Sequence, residues 1–212
     1  MSDALHRHTD YGQTPLTEGD VDRDPLRQLA TWVEQAAESG AYEPNAMVLS
    51  TIDPDGGPSS RTVLLRTIDE HGLTFFTNYT SAKGRALAHS PRVSLVFPWY
   101  TLHRQVIVRG VAHPTSDEVS DTYFATRPRG SQLAAAASDQ SQPIGSRDAL
   151  EERVQALEER YAGTEVPRPD TWGGYVVTPE SIEFWQGRSS RMHDRLRFVR
   201  AGDGWTLTRL QP

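Results

Sequence analysis

The chain has 212 residues, 36% of them apolar, and a formal net charge of −6. That length suffices for one large domain or two small ones, and the acidic balance argues against general nucleic-acid binding, so any anion site must be built from local cations. Cysteine is absent, which excludes disulfides and thiolate metal sites and suits the cytoplasm; no apolar run approaches the roughly 18 residues of a membrane span, and no apolar secretory segment is visible.

Residues 1–23 carry few large apolar groups and no period, and read as a flexible N-terminal arm ahead of a single domain over 24–212. Tyr11-Gly12 within the arm could fold over a ligand. Asp24-Pro25 opens a helix: the carboxylate accepts from free N–H groups, and proline suits the first helical position. Leu26, Leu29, Ala30, Val33, Ala36 and Ala37 form its apolar stripe, and Gly40 its stop. Residues 46–52 read as a buried strand, Pro54-Asp55-Gly56-Gly57 as a turn and 61–66 as the return strand. Alternation sends Arg61 and Arg66 to opposite faces, so either each serves a different anion or one caps the sheet edge.

A turn at 69–72 and a strand at 73–77 lead to Ser81, a helix N-cap with Lys83 in the first turn. Free N–H groups and an ammonium converge on an anion there; the plainer alternative is an exposed lysine. Strands follow at 92–99 and 102–112. Gln105 in the second could pair with a planar heterocycle, or be an ordinary polar position. Thr115-Ser116-Asp117-Glu118 has capping-box spacing, and its helix carries Tyr123-Phe124 and ends near Arg127-Pro128. A short helix follows Ser131-Gln132, then a polar loop over 139–143. Ser146 caps a longer helix with Leu150, Val154, Leu157 and Tyr161 on one face, broken at Val166-Pro167-Arg168-Pro169.

Trp172-Gly173-Gly174 leads into strands at 175–178 and 181–185. Then comes WQGRSSRMHDR, residues 185–195, with three arginines, a histidine and an aspartate. Held between strands, it suits a platform presenting cations to an anion; the alternative is a solvated hairpin whose arginines pair with carboxylates. A terminal hairpin spans 195–200 and 205–210. About eight strands joined by short turns, without βαβ alternation, predict a mainly β protein with inserted helices, an antiparallel barrel or sandwich. There is no dinucleotide loop, Walker loop or HExxH zinc pattern.

RTVLLR, FFTNYTSAKG, FPWYTLHRQV, YFATRPRGSQ, SDQSQPIGSR, VPRPDTWGGY and IEFWQGRSSRMHDR, in that order, closely resemble the pyridoxine/pyridoxamine 5′-phosphate oxidase family over about residues 24–212. The resemblance implies an antiparallel, Greek-key-like FMN-binding split β-barrel with a small helical subdomain. It implies a homodimer with FMN at the subunit interface, and no metal, nucleic acid or membrane. The implied reaction is oxidation of pyridoxine 5′-phosphate and pyridoxamine 5′-phosphate by O2 to pyridoxal 5′-phosphate, with release of H2O2. Implied FMN contacts are Arg61, Thr62, Val63, Leu64, Leu65, Arg66, Phe76, Thr77, Lys83, Gln105, Gln140, Ser141, Trp185 and Arg195. Implied substrate contacts are Arg66, Tyr123, Arg127 and Ser131 at the phosphate, Arg191, Met192 and His193 over the ring, and His8 and Tyr11 from the arm. Arg191 and His193 are the implied catalytic pair.

The chain departs from the family pattern at Arg66, often lysine, at Ala82, often arginine, and at Ser189-Ser190. His8 stands where the family has arginine. Arg85 is the nearest candidate to replace the arginine missing at 82. Two alternatives remain: a related split-barrel flavin oxidase of the phenazine type, and a non-catalytic flavin- or haem-binding split barrel. The phosphate set Arg66, Tyr123, Arg127 and Ser131 argues against the first, and Arg191 with His193 against the second.

Overall fold

The computed structural model describes residue 6 and residues 9–212. The elements run α1 (Pro25–Glu38), β1 (Ala46–Ile52), β2 (Pro58–Leu64), β3 (Thr67–Asp69), β4 (Gly72–Asn78), α2 (Ala82–His89), β5 (Arg92–Trp99), β6 (Arg104–Pro114), α3 (Asp117–Thr126), α4 (Arg129–Ala137), α5 (Arg147–Arg160), β7 (Trp172–Gln186), β8 (Asp194–Ala201) and β9 (Gly204–Leu210). The strands make one antiparallel sheet ordered β2-β1-β5-β6-β7-β4-β3, with β8 on β7 and β9 on β8. The mainly β, antiparallel architecture with inserted helices is thus as expected.

Alternation builds the core. In β5, Val93, Leu95, Phe97 and Trp99 turn inward, and they meet Leu49, Phe75, Val106, Val108 and Phe184 from neighbouring strands. Helix α1 closes one side of this core. Asp24 caps it by accepting from Leu26 N–H at 3.0 Å, and Leu29, Trp32 and Ala36 are buried. Trp32 meets Phe184 edge-on at 5.1 Å. A second, smaller core of Phe124, Leu133, Val166 and Trp172 joins α3 and α4 to the start of β7.

Strand β7 runs 15 residues, where two strands were expected. One edge follows β6 over 175–186; the other pairs with β4 over 172–177 and with β8 over 181–186. Pro179 does not break it, because a bulge opposite Arg109-Gly110 absorbs the irregularity. Glycine is required there: a Cβ on Gly110 would lie 2.2 Å from the Thr178 carbonyl oxygen.

The strand expected over 61–66 ends at Leu64 instead. Leu65 N–H donates to Asn45 O, but Arg66 N–H donates to Thr74 O on β4. The chain therefore turns a corner at Leu65 and leaves β1 for β4. Alternation does not carry across such a corner. The corner, rather than strand alternation, sets Arg66 apart from Arg61.

Of the segment read as a flexible arm, the described part from Thr9 lies on the sheet. Leu16 is buried in the main core, and its N–H donates to Asp194 Oδ2 at 3.0 Å. Arg209 donates to Leu16 O and to both carboxylate oxygens of Glu18. His8 lies outside the described residues.

Candidate active site

At the corner where β2 hands over to β4, a cavity of about 510 Å³ opens beneath α3, α4 and α5. Many of the expected residues line it: Thr62, Val63, Leu64, Arg66, Phe76, Thr77, Lys83, Tyr123, Arg127, Ser131 and Gln140. Asn78, Ala134, Ala135, Ser138, Leu150, Val154 and Trp172 complete the wall and were not expected.

Lys83 enters from the first turn of α2, where Ser81 caps the helix by accepting from Gly84 N–H at 3.2 Å. Its Nζ donates to Gln140 Oε1 at 2.9 Å, and Thr77 Oγ1 donates to the same oxygen at 3.3 Å. Burial, reinforced by the charge of Arg61, holds Lys83 below the ordinary lysine pKa. Arg61 is fixed by Leu49 O at 3.2 Å, Thr51 Oγ1 at 2.7 Å and Ser59 Oγ at 2.6 Å. Those bonds leave the Nε hydrogen and one Nη2 hydrogen free for an anion. Burial lowers its pKa as well, with Asp53 opposing.

Arg61 is not among the residues that line the cavity, whereas Arg66 and Arg127 line it together with Lys83. Phe76 and Tyr123 stack at 3.9 Å and 15°, and Trp172 stacks on Phe76 at 5.5 Å. Arg127 sits 4.6 Å over the Trp172 ring, and Arg66 lies 5.8 Å from Tyr123. The Arg127 Nη1 is buried and has no hydrogen-bond partner. Burial pushes the Arg127 pKa down, Tyr123 opposes this, and the Arg66 charge adds to it. Among the described residues, none of Arg61, Arg66, Lys83 and Arg127 forms an ion pair with a carboxylate. Cations without counter-charges, three of them half-buried and Arg66 exposed, one with an orphaned N–H group, make a site for anions.

The other expected residues gather elsewhere. Gln105 and Trp185 pair across β6 and β7 and line a smaller hollow of about 140 Å³ with Tyr11 and His103. Gly173, opposite Thr77, and Trp185 stand at the two ends of β7, about 40 Å apart along extended chain.

Here the loop after β7 carries Arg191, Met192 and His193. The His193 ring lies 4.7 Å from Trp185. Tyr11 packs over both, at 5.7 Å from His193 and 6.0 Å from Trp185, and meets His103 at 4.8 Å. Gly187 makes room for that ring: a Cβ there would lie 3.0 Å from Tyr11. Ser189 ties the arm down, donating to Asp10 Oδ1 at 2.5 Å and to Gly12 O at 3.0 Å.

Arg188 N–H donates to His193 Nδ1 at 3.0 Å, and its side chain pairs with Asp194 at 3.3 Å. Ser190 and Arg191 both hold left-handed backbone, φ 56° and 60°. Such strain costs roughly 1–3 kcal/mol per residue and collects at functional loops. Arg195 differs from the cavity arginines, since it pairs with Glu183 at 2.8 Å.

Some expected residues stand apart from both groups. Leu65 is buried in the main core, and Ser141 is exposed with φ 72°. Arg85 donates to Thr80 O at the surface rather than joining Lys83. Trp172 and His103 went unforeseen: Trp172 precedes an expected strand, His103 falls inside the strand expected from 102 but holds left-handed backbone just before β6, and no spacing rule separates such a ring from a core residue.

Comparison with known proteins places this geometry. The family profile described as pyridoxamine 5′-phosphate oxidase matches residues 33–161, and that described as pyridoxine 5′-phosphate oxidase C-terminal dimerisation region matches 172–212. A pyridoxine/pyridoxamine 5′-phosphate oxidase of Rubrobacter xylanophilus is 57% identical over 203 residues, covering 96% of this chain and 94% of the relative. One of Thermobifida fusca is 49% identical over 218 residues, covering 100% and 99%. Among solved structures, PhzG from Burkholderia lata 383, in complex with tetrahydrophenazine-1-carboxylic acid, superposes with a TM-score of 0.89 at 32% identity, covering 95% of this chain and 100% of that one. A pyridoxamine 5′-phosphate oxidase-related, FMN binding protein of Nostoc punctiforme shares the fold at a TM-score of 0.72 and 16% identity, covering 91% and 100%.

Proposed function

The chain belongs to the pyridoxamine 5′-phosphate oxidase family, and on that basis we propose that it oxidises pyridoxine 5′-phosphate and pyridoxamine 5′-phosphate to pyridoxal 5′-phosphate, with FMN as cofactor and O2 as acceptor. One observation carries the proposal: three cations without carboxylate partners, Lys83 on one side and Arg66 with Arg127 on the other, line one cavity. FMN and the phosphorylated vitamin each bring one phosphate. A cavity of about 510 Å³ is within the range of roughly 300–1,000 Å³ typical of cofactor sites.

The residues present fit FMN. Lys83 and Arg61 would hold its phosphate, with Gln140 and Thr77 fixing the lysine. When bound, FMN would supply the redox chemistry, a two-electron oxidation at C4′ with O2 as the final acceptor. The protein's part is to bind, orient and shield. Arg66 and Arg127, with Tyr123 and Ser131, would hold the vitamin's phosphate. Arg191 would press on the pyridine ring and offset negative charge at its substituents, while His193 presents an N–H. Tyr11 would cover these groups against water.

We propose further that the site is completed across a homodimer. The cavity of one subunit lacks Gln105, Trp185, Arg191 and His193, which its own fold carries at the far end of β7. A second copy would supply them. The outward side chains of Val48, Val96 and Ile107 lie in register across β1, β5 and β6 and are only half-buried, as an interface face would be. With no cysteine to oxidise, the cytoplasm is the location we propose.

The likeness to PhzG supports a second reading, an oxidase of a phenazine-type acid. An unphosphorylated substrate would leave Arg127 Nη1 unpaired, which favours the first. The test is direct. Purified protein should show a flavin spectrum and release peroxide with either phosphorylated vitamin. Flavin colour with no peroxide would refute the oxidase, and failure to take up added FMN would refute the cofactor.

A further inference from the structure

Arg168 lies in the connection between α5 and β7, with its side chain only 9% exposed. Its guanidinium donates in three directions: Nη1 to Trp172 O at 2.7 Å, Nε to Asp121 at 2.5 Å and Nη2 to Asp117 at 2.7 Å. Asp117 and Asp121 are one turn apart on α3, so one planar fork spans both. The same helix carries Tyr123, and its C-cap is Arg127. Trp172 is the ring on which Arg127 rests, and it also stacks in parallel with Tyr123 at 6.2 Å and 6°.

We infer that Arg168 is a positioning residue for the anion site at Arg127, setting the gap between α3 and Trp172. The inference rests on the reading of Arg127 as a phosphate ligand. Stability alone is a poor account of the arrangement. Both aspartates are largely exposed, at 89% and 61%, and ion pairs to such partners contribute little. What the three bonds do is join two elements that each contribute one side of the Arg127 pocket. No bond of the strut reaches Lys83 or Arg61, so its effect on the FMN phosphate should be smaller than its effect at Arg127. A lysine could not replace it, since one ammonium lacks the planar fork.

The test uses the FMN-loaded protein and two variants: Arg168→Ala, and the paired Asp117→Asn with Asp121→Asn. The last changes only exposed carboxylates and so retains the fold. Each should raise KM for pyridoxamine 5′-phosphate roughly tenfold while kcat changes less than about twofold. Unphosphorylated pyridoxamine, which makes no call on Arg127, should show no such rise. Calorimetric titration with inorganic phosphate should weaken by a similar factor, with a smaller change in the FMN Kd. The phosphate titration stands without turnover, so it separates this inference from the proposed reaction. Equal losses with and without the substrate phosphate, or loss of FMN with phosphate affinity intact, would overturn the positioning role.

Discussion

The backbone N–H of Arg188 donates to the Nδ1 of His193 at 3.0 Å. With Nδ1 filled, a neutral His193 ring carries its proton on Nε2, so it offers a donor where a general base would need a lone pair. Near neutral pH, imidazole-labelled, FMN-loaded protein should show a protonated Nε2 and an unprotonated, hydrogen-bonded Nδ1 in its ¹⁵N spectrum. His193→Gln, whose amide can donate from near the Nε2 position, should then keep roughly tenfold more turnover than His193→Asn. The opposite order, or a proton on Nδ1, would show that the ring works as an acceptor.

With Lys83 at the proposed FMN phosphate site, cofactor binding should depend on pH. Burial, then the Arg61 charge, lowers its pKa in the folded protein below the ordinary 10.5. The folded state therefore loses this proton before the unfolded state as pH rises. The charged lysine detracts from stability below its folded pKa, and that penalty disappears as pH climbs towards and past 10.5. A phosphate dianion favours the charged form. FMN affinity, read by flavin fluorescence, should thus weaken as pH rises through the lowered Lys83 pKa. Lys83→Met should abolish that inflection and weaken binding about 10- to 100-fold at neutral pH. An unchanged pH profile in the variant would assign the effect to another group.

Arg127 should show opposite effects on binding and stability. Its Nη1 is buried without a partner, a cost borne by the ligand-free protein. Arg127→Met keeps an unbranched chain against Trp172 and removes the orphan. Its melting temperature without ligand should equal or exceed that of the parent, by up to a few degrees. KM for the phosphorylated vitamin should rise about 100-fold, with FMN retained. A lower melting temperature would mean that the guanidinium stabilises the fold through its ring contact after all.

Ile107 tests the shared site. It lies half-buried on the outward face of β6, between inward Val106 and Val108. Ile107→Asp leaves those two in place and puts a charge on the proposed interface. Sedimentation should report monomer, near-parental circular dichroism and loss of FMN. A dimer that still holds flavin would exclude this face.

The local grammar of the fold was legible where one residue decides the outcome. Asp24, Ser81 and Ser146 each cap the helix that their position predicts, because a short polar side chain answers a free N–H group within its own turn, whereas the capping box read over 115–118 is displaced by one residue, with Ser116 rather than Thr115 as the cap. Long-range pairing was less legible. Residues 175–178 and 181–185 read as two strands, yet Gly110 across the ladder lets one strand run through Pro179, and that partner is about 70 residues away. Arg66 read as the end of a strand, yet its amide bonds to β4. The cationic set around the cavity was visible through a family likeness, whereas the ring supporting Arg127 was not. Trp172 acquires that part only from where α3 packs, which no local spacing encodes.

Strand β7 begins beside one group of binding residues and ends in the other. In a symmetric pair of subunits, each chain then lends half of two reaction centres and owns neither. At an FMN concentration too low to load the Lys83→Met protein, that variant and Arg191→Ala should rescue each other once mixed and reassembled. Each hybrid would contain one centre with both lesions and one with none, so random exchange would restore about a quarter of the centres.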